Sequence, residues 1–261
     1  MGYKIQFVGA GPGDPELITV KGMRCLKEAD RVVYAGSLVP KSLLQYCKEG
    51  TRLFDSAPMT LEQTHALLKE GYDLGERVVR LHTGDPTLYG AIREQLDLLD
   101  REGIPHEVVP GVSAAFAAAA VLERELTLPE VSQTLILTRL AGRTPVPESE
   151  QLSSLASHRA TMVIYLSVQQ MDKVVGELAR HYPPDTPVVV AYRVGWPDQE
   201  LVAARLENIA EKVREAGINR QALIMVGEVF RTVLEPGTES KRSKLYDESF
   251  GHRFRDAKRP Q

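Results

Sequence analysis

The chain has little of several features that would by themselves indicate a function. Only two of its 261 residues are cysteines, Cys25 and Cys47, and their spacing fits neither a disulfide framework nor a metal site. No apolar run approaches the ~18 residues of a transmembrane helix, and a net charge of −3 provides no basic field for nucleic acid. No signal-peptide pattern precedes the first strand. We therefore expect a cytoplasmic protein that binds neither a membrane nor nucleic acid.

Apolar strand-like runs alternate with helix-like segments along the chain. This alternation predicts the α/β class, with two successive α/β domains whose sheets are mostly parallel. The pattern restarts after an alanine-rich segment, so we place the domains at residues 1–112 and 113–236. A polar, basic and aromatic tail follows at residues 237–261.

Glycine-containing loops follow three of the predicted strands. Open α/β sheets bind ligands at the carboxyl ends of their strands, and glycine lets a ligand approach the backbone closely. Each loop alone is also compatible with a tight turn between a strand and a helix, but three in one half of the chain favour a binding site. The loops are Gly9–Asp14, Thr83–Pro86 and Pro110–Ala114.

The first loop differs from a dinucleotide-binding loop at the positions that matter. A Gly-x-Gly-x-x-Gly motif would place its third glycine at position 14, which is Asp14, and Pro12 removes a backbone N–H that a phosphate would need. The second predicted strand runs from Tyr34 into Ala35 and Gly36, without the acidic residue that binds the ribose. An NAD-dependent oxidoreductase is therefore the weaker alternative.

Five segments of the chain resemble the motifs of the tetrapyrrole (corrin and porphyrin) methyltransferases, in the same order. The resemblance implies S-adenosylmethionine as the methyl donor, two α/β domains with this cofactor in the cleft between them, a tetrapyrrole substrate and a homodimer. A tetrapyrrole carrier without enzymatic activity is another possibility. The five segments are Val8–Asp14, Gly84–Pro86, Pro110–Ala114, Met162–Leu166 and Ala222–Gly227.

Other segments resemble the members of the family that methylate a corrin precursor at carbon 11. They are Tyr34–Val39, Ser56–Gln63, Tyr192–Arg193 and Trp196–Gln199. Members that act on uroporphyrinogen have an aspartate where this chain has Ala35. The resemblance implies methylation of precorrin-4 or cobalt-precorrin-4 in cobalamin synthesis. Methylation at another tetrapyrrole position, as in uroporphyrinogen III, remains the alternative.

Methyl transfer from a sulfonium is a direct displacement, which needs positioning rather than a catalytic side chain. We accordingly predict neither a catalytic residue nor a metal ligand. Asp85 is expected to accept hydrogen bonds from the cofactor, or else to cap a helix beginning after Pro86. The resemblance implies these cofactor contacts: Pro12, Thr83, Gly84, Asp85, Leu88, Ser113, Ala114, Leu166, Val194 and Ala222.

The substrate implied by the resemblance carries many carboxylates, which arginine binds in a bidentate manner. Arg193, beside Tyr192, is the first candidate for this role, and Arg139 and Arg143 follow a predicted strand end. Each of the three arginines is also compatible with a solvated surface charge.

Overall fold

The chain forms two compact units in a computed structural model. The structure describes residues 2–36, 38–142, 144–237, 243, 250–251 and 253–255. The first unit consists of Met1–Ala117 with Arg193–Asp198, and the second of Ala118–Tyr192 with Gln199–Gln261. The predicted domain bounds stay a prediction, and most of the predicted tail lies outside the described residues.

The first unit is a five-stranded sheet with helices on both faces. All its pairings are parallel, in the order β3-β2-β4-β1-β5. The division between the units falls within α4. The elements are β1 (Ile5–Gly9), α1 (Val20–Glu28), β2 (Arg31–Tyr34), β3 (Arg52–Asp55), α2 (Leu61–Asp73), β4 (Val78–His82), α3 (Arg93–Arg101), β5 (His106–Val109) and α4 (Ala114–Val121).

Alternating side chains of the first sheet enter two separate cores. On one face, Val8 and Leu81 pack with Leu26 of α1. On the other, Phe7 and Val33 pack with residues of α2 and α3. Because helices cover both faces of a parallel sheet, the side chains of its central strands are buried, and every residue of β4 is buried here. A polar side chain inside this sheet therefore needs a specific explanation.

Local signals in the sequence explain where helices begin. Thr60 and Gln63 form the reciprocal capping box at the start of α2 that their spacing predicts. The hydroxyl of Thr19 accepts a hydrogen bond from the backbone N–H of Gly22 at 3.1 Å and so caps α1. A separate 3₁₀ turn over Pro15–Leu17 precedes it.

The second unit is also a five-stranded sheet with helices, in the order β6-β7-β10-β8-β9. Ile164, Val190 and Ile224 pack with Val174 and Val213 in its main core. The elements are β6 (Leu135–Arg139), α5 (Leu152–Ala156), β7 (Thr161–Tyr165), α6 (Met171–Leu178), β8 (Pro187–Tyr192), β9 (Glu200–Arg205), α7 (Ile209–Glu215), β10 (Ala222–Val226) and α8 (Arg231–Leu234).

The predicted α/β class is confirmed, and most strand pairings are parallel, but the second sheet is mixed. Only β6 and β7 pair in parallel there; within the described residues, the other three pairings are antiparallel. One of these three pairings follows from the chain connection, because β8 and β9 are joined by residues 193–199 alone. Parallel strands need a crossover of about a dozen residues or more, so this connection can only form an antiparallel pair.

Candidate functional site

The three glycine-containing loops meet at the carboxyl-terminal edge of the first sheet. They follow β4, β1 and β5, which are neighbours in the sheet. Gly11 and Gly84 exchange backbone hydrogen bonds of 3.2 and 2.7 Å, so the first two loops are joined directly. The N–H of Gly111 donates to the Asp85 carboxylate at 2.9 Å, which joins the third loop to the second. The three loops that the sequence predicts are therefore joined into one hydrogen-bonded cluster.

Glycine has two different roles in this cluster. A Cβ on Gly9 would lie 2.5 Å from the Cα of Gly111, and a Cβ on Gly111 would lie 2.1 Å from the carbonyl oxygen of Gly84. These two glycines allow the loops to pack together. Gly84 has φ +59°, and among the described residues a Cβ there would approach no atom closer than 4.0 Å. Its backbone is therefore open on that side to a ligand.

Asp85 accepts three hydrogen bonds within the cluster. In addition to the one from Gly111, Thr87 donates its backbone N–H at 2.8 Å and its hydroxyl at 2.5 Å. Burial raises the pKa of Asp85, but these hydrogen bonds outweigh burial and leave the pKa below its ordinary value. The carboxyl group is therefore ionised at neutral pH.

The structure corrects one interpretation of Asp85. No helix begins after Pro86; the chain forms turns there, and α3 starts only at Arg93 with Ile92 as its N-cap. Asp85 instead holds two loops together through backbone donors. Its expected hydrogen bonds with a cofactor stay a prediction.

Most of the other predicted cofactor contacts surround this cluster in the first unit. Pro12 and Ser113 are buried, whereas Thr83, Leu88 and Ala114 are partly exposed. Val194 is buried in the segment Arg193–Asp198, which belongs to the same unit. The structure thus places eight of the ten predicted cofactor contacts in one unit.

Two predicted cofactor contacts belong to the second unit. Leu166 directly follows β7, has φ +53° and exposes 74% of its surface. Ala222 is buried at the start of β10, opposite Tyr192. A strained backbone with an exposed apolar side chain is costly unless something uses it. The predicted roles of both residues stay predictions.

Trp196 fastens the first glycine loop, which the sequence alone did not indicate. Its indole Nε1–H donates to the carbonyl of Pro12 at 3.1 Å. A Cβ on Gly13 would lie 2.3 Å from Cδ1 of Trp196, and one on Gly195 would lie 2.8 Å from the backbone nitrogen of Asp14. The two glycines, distant in sequence, make this close contact possible.

Arg193 is held in place by other residues of the segment Arg193–Asp198. Its Nε donates to Asp198 at 2.8 Å, and its guanidinium lies 4.1 Å from the centre of the Trp196 ring. The backbone has φ +44°, which is strained for an arginine. The side chain is 20% exposed. Substrate binding by Arg193 stays a prediction, but its orientation is already fixed.

The remaining substrate candidates are less well supported. Arg139, at the end of β6, donates to the carbonyl oxygens of Leu140, Thr144 and Pro145 at 3.3, 3.0 and 2.9 Å, and so closes the loop that follows it. Tyr192 is partly buried at the end of β8. Arg143 lies outside the described residues.

His82 is the last residue of β4 and is nearly enclosed. Its ring stacks on Phe7, with 5.9 Å between the centres, and its Nε2 has no hydrogen-bond partner among the described residues. Burial, and then the charge of Arg80, lower the pKa of His82 to about 3. The imidazole is therefore neutral at physiological pH.

Every helix within the described residues is too short, or too polar, to cross a membrane. In the same residues, no group of three or more His, Cys, Asp or Glu side chains is arranged to hold a metal ion.

Known proteins resemble this chain over most of its length. Residues 4–210 match the family described as Tetrapyrrole (Corrin/Porphyrin) Methylases. The cobalt-precorrin-4 C(11)-methyltransferase of Methanocaldococcus jannaschii is 52% identical over 253 residues, which cover 97% of this chain and 96% of that protein. The precorrin-4 C(11)-methyltransferase of Pseudomonas aeruginosa is 53% identical over 225 residues, covering 86% and 90%.

Solved structures share the fold. A cobalt precorrin-4 methyltransferase described as a cobalamin biosynthetic enzyme superposes with a TM-score of 0.85 at 47% identity, covering 87% of this chain and 95% of that one. The uroporphyrin-III C-methyl transferase of Thermus thermophilus, complexed with S-adenosylhomocysteine, gives 0.74 at 32% identity, covering 88% and 94%.

Proposed function

Because the chain belongs to the tetrapyrrole (corrin/porphyrin) methylases, we propose that it transfers a methyl group from S-adenosylmethionine to carbon 11 of precorrin-4 or cobalt-precorrin-4. The observation that carries this proposal is identity above 50% to two proteins named for that reaction, over at least 86% of this chain. The uroporphyrin methyltransferase is more distant, at 32%. This difference favours a corrin precursor over uroporphyrinogen III.

The loop cluster fits the proposed cofactor. The backbone at Gly84 is open to a ligand, and the neighbouring Asp85 is ionised. An anionic group suits a ligand that carries a sulfonium and several hydrogen-bond donors. The residues that would hold it are Pro12, Thr83, Gly84, Asp85, Leu88, Ser113, Ala114, Leu166, Val194 and Ala222.

S-adenosylmethionine supplies an electrophilic methyl group, so the chain has to supply position and exclusion of water. The hydrogen bonds between Gly11 and Gly84, and from Gly111 to Asp85, fix the loops relative to one another. Trp196 fixes the first loop through Pro12. Preorganised loops need no rearrangement when the methyl group is transferred.

The turn after β2 bears on the choice of substrate. Ala35 replaces the aspartate of the uroporphyrinogen enzymes, but a carboxylate already lies next to this turn. Asp55 accepts hydrogen bonds from the backbone N–H of Gly36 at 3.0 Å and of Ala57 at 2.8 Å. Ala35 itself packs against the apolar cluster that contains Val8 and Leu26, so an aspartate at position 35 would bury a carboxylate among apolar side chains, which desolvation disfavours.

The reaction can be tested directly. The purified chain is incubated with S-adenosylmethionine labelled in its methyl group and, in separate samples, with precorrin-4, cobalt-precorrin-4 and uroporphyrinogen III. We expect NMR to place the labelled methyl on carbon 11 of one or both corrin precursors. Methylation of uroporphyrinogen III with none of the corrin precursors would overturn the proposed substrate but not the family.

Binding of the cofactor can be measured without turnover. Calorimetry with S-adenosylhomocysteine should give about one site per chain. Saturable binding of NADH, with no binding of S-adenosylhomocysteine, would contradict the proposal.

We also propose that the protein is a homodimer in the cytoplasm. The support for both is the family resemblance. Light scattering at micromolar concentration should give the mass of a dimer, twice 28.9 kDa. A monomer mass would contradict this part of the proposal.

A further inference from the structure

Arg80 is a buried cation inside the first sheet. It lies in the middle of β4, between Phe7 of β1 and Val33 of β2, and only 7% of its surface is exposed. Its Nε donates to the side-chain oxygen of Gln95 at 3.1 Å. Its Nη1 donates to the carbonyl of Val33 at 3.2 Å and to the hydroxyl of Ser56 at 2.9 Å. All three acceptors are neutral.

No negative group compensates this charge within the described part of the chain. Burial lowers the pKa of Arg80 to about 10, so the guanidinium is still protonated at neutral pH. A buried charge without a charged partner destabilises the folded chain.

The guanidinium also has an unused donor. Among the described residues Nη2 makes no hydrogen bond, and it is not fully enclosed by the protein. It therefore retains contact with solvent. Two residues along the same face of β4, the Nε2 of His82 is enclosed and unpartnered. An unpartnered atom alone does not indicate a ligand, because the Nη2 of Arg31 is also unpartnered among the described residues but fully enclosed; the Nη2 of Arg80 differs in being open to solvent and therefore to a ligand.

The position of Arg80 agrees with ligand binding. Ser56 directly follows the carboxyl end of β3, and His82 ends β4. The guanidinium of Arg80, which donates to Ser56, therefore lies toward the same edge of the sheet as the glycine loops. Arg80 reaches towards β2 and β3, whereas the joined loops follow β4, β1 and β5. The open donor of Arg80 therefore lies beside the joined loops rather than among them.

We propose that Arg80 binds a side-chain carboxylate of the tetrapyrrole substrate through Nη2, with Ser56 and Gln95 holding the guanidinium in position. This inference rests on the proposed function, which makes the substrate a tetrapyrrole bearing carboxylates. The amino-acid part of the cofactor also carries a carboxylate, and the experiment distinguishes the two sources.

The test uses Arg80→Met, which keeps an unbranched side chain and removes the charge, and Arg80→Lys, which keeps the charge. Affinity for cobalt-precorrin-4 is measured with S-adenosylhomocysteine present, so that no turnover occurs, and KM is measured with S-adenosylmethionine. We expect Arg80→Met to weaken substrate binding about 10- to 100-fold, the range for a charge-assisted hydrogen bond. Arg80→Lys should restore part of this loss.

Arg31→Lys is the matched control. Arg31 is also fully buried, on the adjacent strand β2, but it is paired with Glu70 and Glu76. Its substitution should leave the substrate affinity of the folded protein within about twofold of wild type. Affinity of Arg80→Met for S-adenosylhomocysteine should be equally unaffected.

Three results would overturn the inference. Loss of S-adenosylhomocysteine affinity with normal substrate binding would assign the carboxylate to the cofactor. Unchanged binding of both ligands would make Arg80 structural, as would loss of folding in Arg80→Met together with unchanged substrate affinity in Arg80→Lys. If the wild type bound the tetrapyrrole without methylating carbon 11, the proposed function would fail, while the affinity comparison would still decide the role of Arg80.

Discussion

At the amino-terminal edge of the first sheet, Arg31 is fully buried and pairs with Glu76 at 2.8 Å and Glu70 at 2.9 Å. Two positions further along the paired strands, in the middle of β4, Arg80 is almost as buried and has only neutral partners. Both lie in one parallel sheet of one unit. The difference between them is therefore one of position along the strands.

Other charged groups follow the same division. Near the amino ends of the strands, Asp30 pairs with Lys48 at 2.6 Å, and Arg77 pairs with Glu28. At the carboxyl ends, Asp85 is bound by backbone and hydroxyl donors rather than by a cation. Compensated charges contribute to stability, whereas charges left for a ligand contribute to binding. Four substitutions test this division, from the largest expected effect to the smallest.

Arg31→Met should have the largest effect on stability. It removes both ion pairs and the contact with the Phe54 ring, 5.1 Å from the guanidinium carbon. Breaking a buried pair such as that with Glu76 costs about 3–5 kcal/mol; we expect the lower end, because Glu76 keeps its ion pair with Arg52 and the Glu70 side chain is 56% exposed. Urea denaturation measures the loss.

Arg93→Met is the control for Arg31→Met. Arg93 forms an i,i+4 pair with Asp97 on α3, and its side chain is 80% exposed. Exposed pairs contribute about 0–1 kcal/mol, so this variant should stay close to wild type. A similar loss in the two variants would contradict a special role for the buried pair.

Asp85→Asn should act mainly on cofactor binding. The substitution keeps the shape of the side chain but removes the charge that Gly111 and Thr87 solvate. Charge-assisted hydrogen bonds contribute about 1.5–3 kcal/mol, so affinity for S-adenosylhomocysteine should fall at least about tenfold. Calorimetry measures this, with Asp73→Asn on α2 as the control. Unchanged affinity with a lower melting temperature would limit Asp85 to holding the loops together.

Much of this arrangement could be predicted from local sequence. Gly84 and Gly111 mark the loops because backbone conformation and close packing require glycine there, and Thr60 with Gln63 marks the start of a helix. Such signals lie within a few residues of one another. These local signals are therefore enough to predict the order of elements and the three glycine-containing loops.

What the sequence did not reveal depends on contacts between distant residues. In the sequence, Arg80 is a single charged residue within an apolar strand. Only the pairing of the strands shows that its neighbours are neutral. The contact of Trp196 with Pro12 spans 184 positions. The antiparallel pairing of β10 with β7 and β8 likewise depends on the order of strands in the sheet. Periodicity in one segment contains none of this information.

His82→Gln should change how stability depends on pH. The pKa of His82 falls from 6.5 to about 3 on folding, so between these values the unfolded chain binds a proton that the folded chain does not. Stability is therefore fully present above pH 6.5 and decreases as the pH falls, at up to about 1.4 kcal/mol per pH unit. The variant lacks this group, so its stability should decrease less steeply.

Urea denaturation at several pH values between about 5 and 6.5 avoids most of the titration of the carboxyl groups. His158→Gln, the same substitution at an exposed histidine, is measured alongside as the control. Parallel curves for His82→Gln and wild type would show that His82 becomes protonated in the folded protein as readily as in the unfolded one.

Trp196→Phe should have the smallest effect, because it keeps an aromatic ring beside Arg193 and removes only the hydrogen bond to Pro12. A neutral hydrogen bond contributes about 0.5–1.5 kcal/mol, so affinity for S-adenosylhomocysteine should fall about two- to tenfold. Trp196→Ala, which also removes the ring, should lose more. The lost hydrogen bond joins neutral groups, so the difference between Trp196→Phe and wild type should be the same at low and high salt. A difference that disappears at high salt would mean that Trp196 acts by orienting the charge of Arg193. Cofactor binding at the carboxyl-terminal edge would then also depend on a compensated charge, because Arg193 is paired with Asp198.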